Sequence, residues 1–565
     1  MQSENERILS LYKEKEDEFN KQLELINKIQ QENESLKETV SSQNQEISQI
    51  QKDAEQFLLN SKLILNFTKD YRDYQTRLLT LSDDQKKIIN RIVSNIDSLL
   101  EKDFLIKGGP GTGKTLVLIK ILEKLANEDC KLLTYTNSLS KYNKYISELY
   151  LNAEKQNQNF KETMQNKILT FDDFFKIKLE VLLGKQILFL NLDSEEDLKS
   201  DFYNELLNMI EYSKTTSKFS SKSILEQAVN EIWANLLTEK EYINASYITN
   251  TKNQKLTDEQ QMDRKEIWDS VAAFSKKIET KQMILADYAY WKINTDRKFD
   301  NIPDSYKVDF LLIDEIQDLS TARMELLSKL TRKNCVMAGD LNQSIFIKRG
   351  LSWKKLGYKV QGHTITLRTN YRSTMPIQKL ANAYREKCKI HDAQVSSQSF
   401  IPGTVPELTI ADSNNKAYLE ILRKVEWCKN VMNFSNKDIC IVTTNSRELS
   451  KVKEFLKANI LDSAVMESDD FSFKNENLIR LSTIKYVKGI DTPILILLLT
   501  ENLLNKKANG NMDSNTQMNC VYACITRAMD LLYVITTKDA AKTRSSSLNS
   551  NAISYLLDLM MNLEN

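Results

Sequence analysis

A glycine-rich segment in the first quarter of the chain has the residue types and spacing of a phosphate-binding loop. Residues 108–115 read GGPGTGKT and stand between an apolar, strand-like segment and a helical pattern. Such glycines let backbone N–H groups converge on phosphate oxygens, and the N-terminus of the following helix adds its dipole. Lys114 would neutralise the outer phosphates of a nucleoside triphosphate, and the Thr115 hydroxyl would ligate Mg²⁺. Three glycines complete the predicted cradle, namely Gly108, Gly111 and Gly113.

Two carboxylates end another apolar segment about two hundred residues later. Asp314 would hold Mg²⁺, and Glu315 would orient and deprotonate an attacking water. An acidic pair after a strand, seen alone, is usually only the start of a helix. Phosphoryl transfer needs a phosphate loop and a metal-binding carboxylate at adjacent strand ends. The glycine-rich loop therefore favours the catalytic interpretation of Asp314 and Glu315.

The elements that must position these side chains form an alternating pattern. From about residue 78 onward, apolar strands alternate with amphipathic helices, which predicts an α/β fold with parallel sheets. The chain has only 12 Gly and 6 Pro, which argues against a turn-rich all-β fold. Residues 180–295 are charged and favour helix, and they predict an inserted helical subdomain. The strand candidates are 104–107, 131–136, 308–314, 335–338, 439–443, 478–483, 494–499 and 532–536.

Residues 1–60 predict one long helix with a coiled-coil seam. Apolar residues recur with a period of about 3.5, and 11 of the 15 seam positions are apolar. Asn33 occupies one seam position, and such a polar insertion fixes register and favours two strands. Two alternatives stay open for this arm. It forms a coiled coil with a second copy or a protein partner, or it packs as a single helix on its own chain.

Composition and charge exclude several classes of protein. The net charge of +1 excludes a nucleic-acid binder that works by bulk charge alone. Residues 1–60 carry 13 acidic and 7 basic side chains, so a polyanion site is expected in the remainder, whose net charge is +7. No apolar segment reaches ~18 residues, and no signal-peptide core is present, so membrane spanning and export are not expected. Seven scattered cysteines without metal-ligand spacing predict free thiols in a reducing cytoplasm.

Further motifs follow in a fixed order and carry a family resemblance. They are DEIQD at 314–318, GDLNQSIF at 339–346, NYRST at 370–374, TIKYVKGID at 483–491 and YACITRA at 522–528. In this order they resemble the motifs of UvrD/Rep/PcrA-like superfamily 1A helicases, over about residues 78–537. The resemblance implies two RecA-like P-loop domains with ATP and Mg²⁺ in the cleft between them. It also implies an ATP-dependent motor that moves 3′→5′ on single-stranded DNA, with RNA as an alternative.

The resemblance gives several residues a role at the nucleotide, and together with the sequence pattern it divides the chain into segments. Gln343 would sense the γ-phosphate, and Arg372 and Arg527 would be arginine fingers from the second lobe. Tyr371 would stack on adenine, Gln85 would read the adenine edge and Asp491 would meet the ribose. Gly489 would also belong to the nucleotide site. The expected segments are a helical arm (1–65), a first RecA-like domain (78–179 and 296–368), a helical insertion (180–295), a second RecA-like domain (369–545) and a C-terminal helix or tail (546–565).

The resemblance also implies a strand-binding track. Tyr135 and Phe346 would stack on unpaired bases, although either could equally be a core side chain. The other implied contacts are Thr134, Asn137, Arg349 and Lys485. Relatives carry a large second accessory subdomain before residue 483, whereas here only about 25 residues separate the flanking segments. The alternative function is a nucleotide-dependent switch that recruits an effector, such as a separate nuclease, through residues 1–60 in DNA repair or phage defence.

Overall fold

A computed structural model describes most of the chain after residue 78. The described residues are 79–97, 103–192, 197–245, 256–339, 353, 356–389, 399, 401–475, 477–500, 514–542 and 551–563. The predicted arm and its coiled coil lie outside these residues, as do Gln343, Phe346 and Arg349.

Every strand pair in the described residues is parallel. The strands are β1 (Phe104–Gly108), β2 (Cys130–Thr134), β3 (Ile168–Thr170), β4 (Gln186–Leu188), β5 (Met283–Leu285), β6 (Val308–Ile313), β7 (Thr331–Gly339), β8 (Thr364–Leu367), β9 (Glu407–Ala411), β10 (Ile439–Thr443), β11 (Ser463–Val465), β12 (Ile479–Thr483), β13 (Thr492–Leu499) and β14 (Ala528–Thr537). They form a first six-stranded sheet in the order β3-β2-β6-β7-β1-β8, a second in the order β11-β12-β10-β13-β14-β9, and the pair β4-β5. The predicted parallel α/β fold is confirmed.

Helices cover both faces of the two large sheets, which defines two lobes. The α-helices are α1 (Asp83–Asp97), α2 (Lys114–Lys124), α3 (Asn137–Ala153), α4 (Gln158–Asn166), α5 (Phe171–Leu183), α6 (Asp201–Glu211), α7 (Ser221–Gln227), α8 (Glu239–Ile243), α9 (Asp258–Glu279), α10 (Ala286–Thr295), α11 (Thr321–Lys329), α12 (Met375–Lys387), α13 (Asn414–Asn430), α14 (Ser446–Ala458), α15 (Ser514–Ile525), α16 (Lys538–Lys542) and α17 (Asn551–Leu563).

The central strands read as continuous apolar runs because both faces of the sheets are buried there. All residues of β13 and β14 are buried. Successive side chains of a strand point to opposite faces. In β10, Cys440 and Val442 join a hydrophobic cluster that contains residues of both lobes, whereas Ile439 and Ile441 join a cluster confined to the second lobe. The core between the lobes is therefore continuous.

The helical insertion contributes aromatic residues to a hydrophobic cluster that it shares with the first lobe. Trp233 is fully buried and packs against Phe274 and Tyr288, with ring centroids 5.9 and 5.5 Å away. Thr238 and Thr257 begin α8 and α9 with complete capping boxes, which satisfy N–H groups of the first turn. The small parallel pair β4-β5 also belongs to this region. Its three-residue strands are too short to leave a periodic pattern in the sequence.

A short segment of the second lobe packs on α3 of the first lobe. We name residues 466–475 the clasp; they follow β11 in the short connection between α14 and β12. Phe473 is 3% exposed and contacts the rings of Tyr142 and Tyr145, with centroids 5.2 and 5.9 Å away. The Lys141 ammonium donates to the carbonyl oxygens of Ser468 and Asp469 at 2.9 and 2.8 Å. The clasp therefore ties the lobes together where the sequence lacks room for the second accessory subdomain.

Replacing Phe473 with Ala tests how much the clasp stabilises the protein. We expect Phe473→Ala to lower the free energy of unfolding by about 3–5 kcal/mol, because it removes a buried ring and leaves a cavity. The measurement is urea unfolding followed by tryptophan fluorescence. Tyr212→Ala is the control, because that ring is 84% exposed and such surface changes usually stay within about 0.5 kcal/mol. Equal effects of the two changes would contradict a stabilising clasp.

Candidate active site

The phosphate loop joins β1 to α2 with two backbone conformations that favour glycine. Gly111 and Gly113 have φ values of 72° and 81°, in the left-handed region that costs other residues free energy. A Cβ atom on Gly113 would also lie 2.3 Å from Nε2 of Gln85, and one on Gly111 would lie 2.3 Å from Oδ1 of Asn370. Neighbouring polar side chains thus approach the loop so closely that only hydrogen fits at these two positions.

Gln85 holds the loop from the side of α1. Its Nε2 donates to the carbonyl oxygen of Thr112 at 2.9 Å, and its Oε1 accepts from the backbone N–H of Ser82 at 2.8 Å. Gln85 is 2% exposed. The side chain predicted to read the adenine edge therefore lies at the loop, where it also fixes the loop conformation.

Lys114 and Thr115 lie at the start of α2, facing the loop and the carboxylates. The Lys114 ammonium donates to the carbonyl oxygens of Gly108 and Gly109 at 2.9 and 3.1 Å. The Thr115 hydroxyl donates to Oδ2 of Asp314 at 2.8 Å. These donors fit a triphosphate with a divalent metal, because a hydroxyl and a carboxylate meet beside a backbone cradle that Cβ atoms would fill.

The strands that precede Thr115 and Asp314, the expected metal ligands, are not adjacent, which corrects the sequence-based expectation. β7 lies between β1 and β6 in the first sheet. The contact forms because Thr115 lies in the first turn of α2, beyond the end of β1, and reaches the carboxylate that follows β6. Among the described residues, no group of three or more His, Cys, Asp or Glu side chains could hold a metal ion. Thr115 and Asp314 would offer one hydroxyl and one carboxylate ligand to a divalent metal there.

Three buried carboxylates follow β6, and their pKa values diverge. Burial raises the pKa of Asp314 to about 6, and the charge of Glu315 adds to this effect. Burial also raises the pKa of Asp318 to about 6, although the nearby Lys488 opposes it. Burial acts on Glu315 in the same direction, but the charges of Lys488, Lys114 and Arg527 outweigh it and lower its pKa. Glu315 is thus the carboxylate that stays ionised most readily.

Glu315 is also held in an unusual backbone conformation. Its φ of 51° lies in the left-handed region, which non-glycine residues seldom adopt. The Nε2 group of Gln317 donates to its Oε2 atom. Across the lobe boundary, a Cβ on Gly489 would lie 3.5 Å from Oε1 of Glu315 and 2.7 Å from Leu139. A local strain of this kind is typical of functional positions.

Two arginines of the second lobe lie on either side of one carboxylate. Asp491 forms ion pairs with Nη1 of Arg372 and with Nη1 of Arg527, the latter at 3.4 Å. All three residues are buried. Burial lowers the pKa of Arg372, and the charge of Arg527 acts in the same direction. The predicted fingers therefore lie together, and the predicted ribose ligand Asp491 lies between them.

The motif that contains Tyr371 connects the lobes at the phosphate loop. The Tyr371 N–H donates to the carbonyl oxygen of Gly111 at 3.0 Å. Asn370, which the sequence analysis gave no role, is fully buried, and its Oδ1 accepts from the N–H groups of Arg372 and Ser373 at 2.8 and 3.0 Å. Asn370 thus shapes the turn that carries the arginine, and its place in a motif was the signal that could have identified it.

A buried ion pair that the sequence analysis missed also crosses the cleft. The Lys488 ammonium lies 2.5 Å from Oδ1 of Asp318, and the two side chains are 8% and 3% exposed. Both residues stand inside family motifs, but nothing in the sequence indicates that they meet.

The described residues of the predicted strand track lie on both lobes. Thr134 is buried at the end of β2, and the exposed Asn137 begins α3, with its Nδ2 3.4 Å from Oδ1 of Asp469 in the clasp. Tyr135 is partly exposed and packs against the cluster formed by the first lobe and the insertion, and burial raises its pKa, so its ring fits either alternative. The Lys485 ammonium lies 5.8 Å from the ring of Tyr486 in the second lobe.

Family comparisons agree with this geometry. A model described as the UvrD/REP helicase N-terminal domain matches residues 90–356, and one described as the UvrD-like helicase C-terminal domain matches residues 365–477. This chain belongs to the UvrD-like helicases. As a UvrD-like helicase it is an ATP-hydrolysing DNA helicase of superfamily 1, with two RecA-like lobes, and the family uses a nucleotide with a divalent metal and binds single-stranded DNA.

Other comparisons add little to this assignment. No curated protein matches this UvrD-like helicase. A crystal structure of the C-terminal domain of a possible DNA helicase from Lactobacillus plantarum WCFS1 is 13% identical, with a TM-score of 0.22, and the match covers 29% of this chain and 86% of that one. Among the described residues, no helix combines the length and the apolar character needed to cross a membrane.

Two lysines of this helicase pair with carboxylates across the lobe boundary, and their burial predicts different effects. Lys488→Met should lower the free energy of unfolding by about 3–5 kcal/mol, because it leaves the Asp318 carboxylate buried without its cation. Lys474→Met removes the matched pair with Glu148, whose side chains are 62% and 24% exposed, and should cost under about 1 kcal/mol. Urea unfolding of both variants measures the difference. If Lys488→Met lowers the free energy of unfolding no more than Lys474→Met does, burial does not make the Lys488–Asp318 pair more important for stability.

Proposed function

We propose that this helicase is a 3′→5′ translocase on single-stranded DNA that separates duplex ahead of it. The observation that carries the proposal is the match of UvrD-like helicase models to both lobes, together with the ion pair of Lys488 with Asp318 that joins the lobes beside Glu315. Lys114 of the first lobe and Arg527 of the second lobe both lower the pKa of Glu315. A site assembled from two lobes is complete only when they close, so nucleotide turnover can drive their relative movement.

The residues of the cleft suggest a division of labour in hydrolysis. Thr115 and Asp314 would hold Mg²⁺, which neutralises phosphate charge when bound. Glu315, whose pKa is lowered, would accept a proton from the attacking water at neutral pH. Arg372 and Arg527 would stabilise the charge that develops on the transferring phosphoryl group. Gln343 would act as the γ-phosphate sensor.

The remaining nucleotide and strand contacts belong to the same proposal. Tyr371 would stack on adenine, Gln85 would contact its edge, and Gly489 would allow the lobes to approach closely. Unpaired DNA would run over both lobes, and RNA is the alternative polymer. The strand contacts proposed for it are Thr134, Tyr135, Asn137, Phe346, Arg349 and Lys485.

The proposal extends to the compartment and the partner of the helicase. All seven cysteines are buried free thiols, which supports a reducing compartment such as the cytoplasm. The heptad pattern of residues 1–60 supports a homodimer or a protein partner, for which a separate nuclease in DNA repair or phage defence is one candidate.

A nucleotide-dependent switch is the second candidate function, and the clasp favours it. The clasp occupies the short connection in which relatives carry an accessory subdomain that contacts duplex. A chain without residues 1–60 separates the two functions. A motor should keep translocating without the arm, whereas a switch should lose its oligomer or partner and show little movement on DNA in either form.

The decisive experiment measures ATP turnover alone and with single-stranded DNA, duplex DNA or RNA at several salt concentrations. We expect single-stranded DNA to stimulate turnover most, and added salt to weaken that stimulation.

Glu315→Gln should bind ATP but lose about 10²-fold or more of the stimulated rate, because the general base is gone. Glu448→Gln is the matched control, since this buried carboxylate accepts from Tyr418 and Thr500 in the second lobe. Turnover that DNA leaves unchanged would contradict the motor.

Displacement of streptavidin from biotinylated oligonucleotides tests the direction of movement. A 3′→5′ translocase should remove streptavidin quickly from the 5′ end and slowly from the 3′ end, and Glu315→Gln should remove neither. Faster removal from the 3′ end would reverse the proposed polarity but leave the motor function in place.

A further inference from the structure

Asp491 has an environment that a ribose ligand does not require. Its two carboxylate oxygens contact different guanidinium groups, Oδ2 that of Arg372 and Oδ1 that of Arg527. The Asp491 side chain is 2% exposed, and those of the two arginines are 10% and 5% exposed. Both carboxylate oxygens therefore already pair with guanidinium groups, and the site is almost inaccessible to solvent.

The backbone fixes these three residues to the same end of the second sheet. Thr492, the first residue of β13, donates its N–H to the carbonyl oxygen of Arg527 at 3.0 Å. Thr374, just after the Arg372 turn, donates its N–H to the carbonyl oxygen of Met529 at 2.9 Å. Asp491 is thus attached to the strand pair that carries one arginine and stands beside the turn that carries the other.

Two buried guanidinium groups that must act on one phosphoryl group repel each other. The charge of Arg527 lowers the pKa of Arg372, which is the direction that like charges produce. A carboxylate between them offsets this repulsion and fixes their separation. A guanidinium has five N–H donors, so an ion pair through one nitrogen leaves donors for phosphate oxygens. Arg527 is held further by bonds from Nε to the carbonyl oxygen of Ala523 and from Nη2 to Thr526, both 3.1 Å.

We propose that Asp491 is a positioning residue that sets the spacing and direction of the two arginine fingers. It acts on the rate of hydrolysis through Arg372 and Arg527, and it is not the determinant of ribose recognition. This inference rests on the proposed function, because it needs both arginines to act on the transferring phosphoryl group.

The test compares Asp491→Asn with the wild type, using ATP, 2′-deoxy-ATP and 3′-deoxy-ATP in the presence of single-stranded DNA. We expect kcat to fall about 10²-fold with all three nucleotides, as for loss of an aligned electrostatic donor. KM should change less than about three-fold, and the preference for ATP over each deoxynucleotide should stay that of the wild type. A ribose contact predicts the opposite, namely a lost preference for ATP with kcat largely kept, and that result would overturn the proposal.

Three further variants complete the test, and the first keeps it decisive if Asp491→Asn folds poorly. Asp491→Glu retains the charge and should recover part of kcat with the same nucleotide preference; no recovery in a folded protein would count against positioning. Asp438→Asn is the matched control, because this buried carboxylate of the second lobe accepts from Ser435, and its kcat should equal that of the wild type.

Arg527→Ala distinguishes a failure of this inference from a failure of the proposed function. If that variant turns over ATP normally, the fingers of the proposed function fail, whatever Asp491 does.

Discussion

The constraint on which this structure depends is the burial of negative charge at the end of β6. Asp314, Glu315 and Asp318 lie within five residues and are all buried, and carboxylates in such a place stay ionised only with cations nearby. The first lobe supplies Lys114, and the second lobe supplies Lys488 and Arg527. Because neither lobe alone provides all these cations, the electrostatics of the site require both lobes, and this requirement links nucleotide chemistry to the arrangement of the domains.

The sequence allowed a reliable prediction of elements that have strong local signals. Residues 439–443 form β10 with the predicted bounds, because a fully buried strand is a continuous apolar run. The glycine-rich loop likewise follows β1 and precedes α2, since its residue types are dictated by backbone conformation at Gly111 and Gly113. The edge strands of the two large sheets, β3, β8, β9 and β11, escaped prediction because they are short or partly exposed and lack a continuous apolar run.

Contacts between distant segments were the part that the sequence could not supply. The ion pair of Lys488 with Asp318 and the placement of Asp491 between two arginines depend on how the lobes meet, and no local pattern encodes that. Tyr135 is a related case, because an aromatic residue at a strand end suits a stacked base and a core equally well. Its packing against the first-lobe core could be seen only once the insertion was folded beside it.

The clasp has a consequence for the release of spent nucleotide. If release of ADP and phosphate widens the cleft, the contact of the Phe473 ring with α3 limits how the lobes can move. A rocking motion that pivots on this aromatic contact would widen the cleft while the rings stay together. A motion that parted the rings would expose apolar surface, at about 25 cal/mol per Å². Of these two motions, a hinge at the clasp therefore costs less free energy. The cleft should then open most on the side away from α3.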